Sequence, residues 1–219
     1  LSFYKELRIL LLKEFQREWR MKTGVFGILL HIVAAIYISY LSFSRVPEMA
    51  KNPLFWIIML FTTINGISRG FMEEKRGYKI YLQQMVRPEA VILSKLIYHA
   101  LLMVFLTLAT YVVYVFFIEL QPMSHWNYLV SIVLSVIGVS AVFTMVSAMA
   151  SNASKPGLLI PVMSLPMVLP IILVGMKAAD RAMKLSYSDK IFIDWVLLIF
   201  LNLLIGFLSV ILFKFLRQE

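Results

Sequence analysis

The sequence predicts an all-α integral membrane protein with six transmembrane helices, an N-terminal interfacial amphipathic helix and a cytoplasmic amphipathic helix between the second and third spans. Two observations carry this. Of 219 residues, 61% are apolar and 15% charged, whereas a soluble domain is about half apolar and about a quarter charged. The charges are also gathered between six apolar stretches that contain no Lys, Arg, Asp or Glu: 25–43, 52–68, 96–118, 126–150, 156–176 and 195–213. Crossing about 30 Å of hydrocarbon takes roughly 20 such residues in a helix, the one open-chain conformation that pairs its backbone internally. All of residues 1–219 read as one transmembrane domain.

Residues 1–22 form the first element. Tyr4, Leu7, Leu11, Phe15 and Trp19 fall on one arc at helical spacing, with Lys5, Glu6, Lys13, Gln16, Arg17 and Arg20 opposite. Such a helix is expected to lie in the membrane interface, basic face toward the cytosol. The segment is too long and too acidic for the basic head of a cleaved signal, so the first span is expected to be retained.

Orientation follows from the basic residues. With the N-terminus placed in the cytoplasm, 15 Lys and Arg fall inside and 6 outside, the bias that positive-inside topology requires. Both termini are expected in the cytoplasm. The net charge of +9 then reflects contact with anionic lipid headgroups rather than nucleic acid.

The loop 69–95 is the charged segment of the chain. After Gly77, Tyr78, Tyr81, Leu82 and Met85 recur at i, i+3, i+4, i+7, and Pro88 is expected to close this short surface helix. It reads either as a membrane-skimming connector or as a face offered to a soluble partner. In the second and fourth spans, Gly66, Gly70, Ser131, Ser135, Gly138, Ser140, Ala141, Ser147 and Ala148 supply small residues for close helix packing. The fifth carries Pro161, Pro166 and Pro170 inside an apolar run; each removes a backbone donor, so a broken or kinked helix is expected. Such helices line paths in transporters.

Several chemistries have no residues to carry them. There is no cysteine, and no phosphate-cradling G-x-x-x-x-G-K-[ST] loop, zinc-binding HExxH helix or G-x-S-x-G nucleophile elbow. The spans hold no ionisable group beyond His31 and His99, which disfavours proton relay and intramembrane hydrolysis. His31, His99 and His125 are candidates for haem ligation, because neutral imidazole is a common axial ligand; helix contacts are the plainer reading. No metal site is expected.

In this order of elements the chain resembles a type 2 ABC exporter permease. Within that group it is similar to the haem exporter protein B (CcmB) family of bacterial cytochrome c maturation. The resemblance rests on "RGFMEEKRGYKIYLQQMVRPEAVILSK", through Arg69, Phe71, Glu73 or Glu74, Gly77, Leu82, Pro88 and Lys95, and on an LP-x-x-x-P segment formed by Leu165, Pro166 and Pro170. The Leu-rich N-terminal helix adds a weaker match.

The resemblance implies a permease subunit that is not itself an enzyme, in the bacterial cytoplasmic (inner) membrane. ATP would be hydrolysed on a separate CcmA-like subunit. It further implies a permease homodimer, haem as cargo, and a CcmC-like haem-handling protein and a haem chaperone as partners. The ATPase interface would comprise Arg69, Phe71, Glu73, Glu74, Gly77, Tyr78, Tyr81, Leu82, Met85, Pro88 and Lys95, with Pro161, Pro166 and Pro170 along the pathway. Two other readings share these features: a permease of the same type exporting a lipid, polysaccharide or drug, and a non-transporting scaffold for haem-handling proteins.

Overall fold

A computed structural model describes residues 3–20, 23–43, 46–72, 86–150, 156–184 and 188–216. Among these the regular elements are all helices: α1 (Phe3–Arg20), α2 (Thr23–Ser42), α3 (Glu48–Met72), α4 (Pro88–Ile118), α5 (His125–Ala150), α6 (Pro156–Lys184) and α7 (Ser188–Leu216). Five of them, α2 and α4 to α7, are long and apolar enough to cross a membrane. The fold is that of a multi-pass membrane protein. Helix α3 contains the expected second span and has 25 residues, but its first turns carry Glu48, Lys51 and Asn52.

Helix α5 is the centre. Within its most apolar stretch 67% of residues are buried in the bundle, against 17% in α2 and α7, so α5 is packed all round and the other two keep broad outward faces. The reason is side-chain size. Ser131, Ser135, Gly138, Ser140, Ala141, Thr144 and Ser147 are small and buried, letting neighbouring backbones approach as helix association in lipid requires. The hydroxyls of Ser131, Ser135 and Thr144 donate to carbonyls four residues back at 2.6–2.8 Å, so the stripe brings in few orphan donors.

Of the break or kink expected in the fifth span, the break is not present. Helix α6 runs from Pro156 to Lys184 with all three prolines inside it. Pro166 and Pro170 point outward and Pro161 is half-buried, while Ile160, Ser164, Val168, Ile171, Gly175, Ala178, Ala179 and Ala182 face the bundle. Packing along this unbroken face holds the helix together while the missing donors fall on the far side. The buried Ser164 hydroxyl also donates to the Ile160 carbonyl.

Pro88 opens α4, with Arg87 extended at φ −62°, ψ 135° as the residue before a proline is expected to be; the short helix it was expected to close lies outside the described residues. A proline fits this first helical position because its missing N–H has no partner there anyway, and its fixed φ is already helical. The loop is therefore shorter than 69–95: α3 runs on to Met72, and Glu89 and Lys95 belong to α4.

Candidate functional site

Charged and polar side chains gather at the two ends of the bundle. At one end α1 packs across the first turns of α4. Leu10 meets Ala90 and Val91, with Phe3, Val86 and Phe213 around them, and the Phe15 ring meets Tyr98 edge-on at 5.3 Å.

Inside this contact lies a carboxylate. Glu14 is 4% exposed, and its oxygens stand 3.6 Å from Lys95 Nζ, 3.4 Å from Arg17 and 3.9 Å from Lys13. Lys95 is itself 5% exposed. Burying a charge is costly unless a partner compensates it, so this cluster selects which face of α1 meets α4. Lys13 and Arg17 of the face expected to meet the cytosol turn onto Glu14, while Lys5 and Gln16 of that face and Tyr4 and Phe15 of the apolar arc are exposed. One turn further into α4, His99 is buried and shares a 3.0 Å hydrogen bond with Thr144 of α5. Lys214 of α7 reaches Glu89 at 3.8 Å, so α1, α4 and α7 are joined at the foot of α4.

The opposite end is tied by Lys51, a set of neutral groups around Asn52 and an ion pair between α6 and α7. Lys51, 4% exposed, donates to Glu48 at 2.6 Å and to the Glu119 carbonyl at 3.0 Å. Glu119 ends α4 in the left-handed conformation, φ 54°, its amide donating to the Val115 carbonyl at 3.1 Å. A left-handed residue exposes the last carbonyls of a helix, and a cation there also meets the negative end of the helix dipole.

Next to Lys51, Asn52 donates to the Met176 carbonyl of α6 at 3.3 Å and accepts from Trp56 at 2.9 Å and from the Tyr128 hydroxyl at 3.2 Å. The Tyr114 hydroxyl donates to the Lys51 carbonyl at 2.7 Å. Phe55 packs edge-on against Tyr111, Tyr114 and Tyr128. One residue pair of α3 thus ties α3, α4, α5 and α6. Arg181 of α6 pairs with Asp194 of α7 at the same end.

A model of the ABC-2 type transporter membrane family matches residues 5–170, from α1 into the proline-bearing part of α6. The chain belongs to the ABC-2 type transporter family. No curated protein sequence matches it. An ABC-2 membrane domain is the permease part of a transporter and works with an ATP-binding subunit, so the helical bundle is the membrane component of such an assembly.

Placed in this ABC-2 permease, the expected site residues separate into groups. Glu73, Glu74, Gly77, Tyr78, Tyr81, Leu82 and Met85 lie outside the described residues; Arg69 and Phe71 are in the last turns of α3. Pro88 starts α4. Lys95 is not on a surface: it is inside the α1–α4 contact on Glu14. The three histidines do not come together. His31 is exposed on α2, His99 is buried in α4, and His125 opens α5 with Nδ1 2.8 Å from the Tyr111 hydroxyl. No group of three or more His, Asp or Glu side chains among the described residues is placed to hold a metal.

Sequence reading missed Glu14, Lys51 and Asn52. A signal existed for Glu14, an acid amid basic residues on an amphipathic helix, but its partner is 81 positions away.

Proposed function

We propose that this permease delivers haem to the outer face of the bacterial cytoplasmic membrane during cytochrome c maturation. It would act as a homodimer, each copy docked on a CcmA-like ATP-binding subunit, with a CcmC-like protein and a haem chaperone receiving the cargo. Both termini face the cytoplasm and α3 is the sixth span, in keeping with the basic-residue bias. The haem assignment rests on the resemblance carried by Arg69 to Lys95 and by Leu165, Pro166 and Pro170.

The observation that supports coupling is the foot of α4. The charged segment feeds directly into Pro88, and within two turns α4 is bound to α1 through the buried Glu14–Lys95 pair. Such pairs resist separation. A push on the segment is then carried by α1 and α4 moving together.

Leu82→Asp tests this reading. If Tyr78, Tyr81, Leu82 and Met85 dock in a groove of the ATPase, a buried carboxylate there removes a central anchor, costing at least about 2 kcal/mol or roughly thirtyfold in affinity. The ATP-binding subunit should co-purify with wild type and be lost from the variant at equal permease levels, and cytochrome c maturation should fail. Retained ATPase with normal maturation would show the segment to be a connector. Maturation intact in a strain lacking the permease would assign the cargo to another class, such as a lipid, polysaccharide or drug.

A further inference from the structure

Two kinds of side chain share the outward side of α1. Tyr4, Ile9, Leu12 and Phe15 are exposed, from 48% for Phe15 to 79% for Tyr4, and Lys5, Arg8 and Gln16 are exposed between them. At 100° per residue these positions fall within one arc of about 140°. The arc carries positive charge only. Glu6 and Glu14, the acids among the described side chains of α1, lie outside it: Glu14 is buried on Lys95, and one carboxylate oxygen of Glu6 is buried. Lys5 and Arg8 make no ion pair among the described residues.

The contacts with α4 set the depth of this face. Leu10 meets Ala90 and Val91, the Glu14 carboxylate stands 3.6 Å from Lys95 Nζ, and the Phe15 ring lies 5.3 Å from that of Tyr98. Successive residues of α1 thus meet successive residues of α4, so α1 climbs beside the foot of α4 toward the membrane. Lys95 is the last charge before the apolar stretch 96–118. Leu12 and Phe15, on either side of Glu14, therefore stand where hydrocarbon begins. Arg8 lies about 6 Å and Lys5 about 10 Å back from Leu12 along the helix. The headgroup layer is about 5–8 Å thick on each side of a bilayer, and long basic side chains stretch to reach it.

Along α1 the order is apolar groups at the hydrocarbon edge, then cations at headgroup depth. That is the order of acyl chain and phosphate in a phospholipid. Two cations with no acid beside them attract a headgroup of net negative charge, whereas a zwitterionic one offers no net charge to meet them.

We propose that the outward face of α1 seats an anionic phospholipid of the adjoining leaflet, with Leu12 and Phe15 against its acyl chains and Arg8 and Lys5 on its phosphate. The seat is independent of what the permease transports. Because the buried Glu14–Lys95 pair joins α1 to α4, the bound lipid also holds the foot of α4 beside the charged segment.

The test uses the permease purified with its ATP-binding subunit and reconstituted in phosphatidylcholine vesicles that contain a minor share of phosphatidylglycerol. A benzophenone side chain is placed at position 12, and at position 203 as the control, Leu203 being 69% exposed on the apolar α7. Irradiation at 12 should give phospholipid adducts in which phosphatidylglycerol exceeds its share of the vesicle at least about fivefold, the attraction of one cation to an anionic surface. Adducts at 203 should mirror the vesicle. Salt at about 1 M, which shortens the screening length to about 3 Å, should bring the enrichment at 12 back toward that share. Lys5→Gln combined with Arg8→Gln should do the same while the ATP-binding subunit and the total yield of lipid adducts are kept, so that only the headgroup preference changes.

An adduct at 12 with the ATP-binding subunit or with a second copy of this chain, in place of lipid, would give the face to that partner and overturn the proposal. Phospholipid adducts without enrichment would overturn it equally, as would an enrichment that survives in the double variant.

Discussion

Glu14→Gln is the sharpest probe of the α1–α4 joint. The substitution keeps shape and hydrogen-bonding capacity while removing the charge that Lys95, Arg17 and Lys13 share. At 3.6 Å and an effective dielectric of 20, the Glu14–Lys95 attraction alone is about 4–5 kcal/mol. Removing one member of a buried pair typically costs about 3–5 kcal/mol, since the other charge stays desolvated. The side chains are 5% and 6% exposed, so little solvent screening reduces this.

If that energy holds α1 on α4, its loss raises the population with α1 detached by roughly 10²- to 10⁴-fold. The chain has no cysteine, so Leu10→Cys, at a position 6% exposed in the joint, provides a single thiol. Its labelling in purified protein should be slow in the parent and faster by that factor with Glu14→Gln. Adding Lys95→Met should recover much of the protection, because replacing both partners by uncharged groups leaves far less to desolvate. Labelling that changes by less than about threefold on Glu14→Gln would refute an electrostatic joint and leave the apolar contacts as what holds α1.

Three further outcomes follow from the same packing. Gly138→Ala would drive a methyl into Asn202 Oδ1 and to 3.3 Å from Ile171 Cδ1; it should destabilise the bundle by about 1–3 kcal/mol in thermal unfolding, whereas Gly206→Ala, with nothing within 4 Å, should be neutral or stabilising. Lys51→Ala removes the donor to the Glu119 carbonyl and should cost about 1–3 kcal/mol, seen as a lower melting temperature and faster hydrogen exchange at the end of α4. Single cysteines at Ser124 and Ser186 should react with an impermeant reagent from outside the cell while those at Gln83 and Gln218 do not; outside labelling at Gln83 would invert the orientation.

The sequence by itself determined the fold class and most of the helices. Apolar runs free of charge declare themselves because hydrocarbon tolerates nothing else: five of the six expected stretches fall within a described helix, the first runs one residue past the end of α2, and five helices are long and apolar enough to cross a membrane. Family membership was legible for the same reason: order, length and spacing are local properties.

What only the tertiary structure decided concerns partners far apart in the chain. Three prolines in one span predicted a break or a kink; no break is present, because hydrogen-bond loss on the outward side does not unfold a helix packed along its other face. Pro88 was expected to close the segment before it; the structure shows it as the first residue of α4, after an extended Arg87. Lys95 read as a surface charge until Glu14 arrived from α1, and Lys51 read as a loop residue until the end of α4 closed over it. A charge carries no mark of its burial in its own sequence neighbourhood; burial is set by whichever distant helix brings the compensating group.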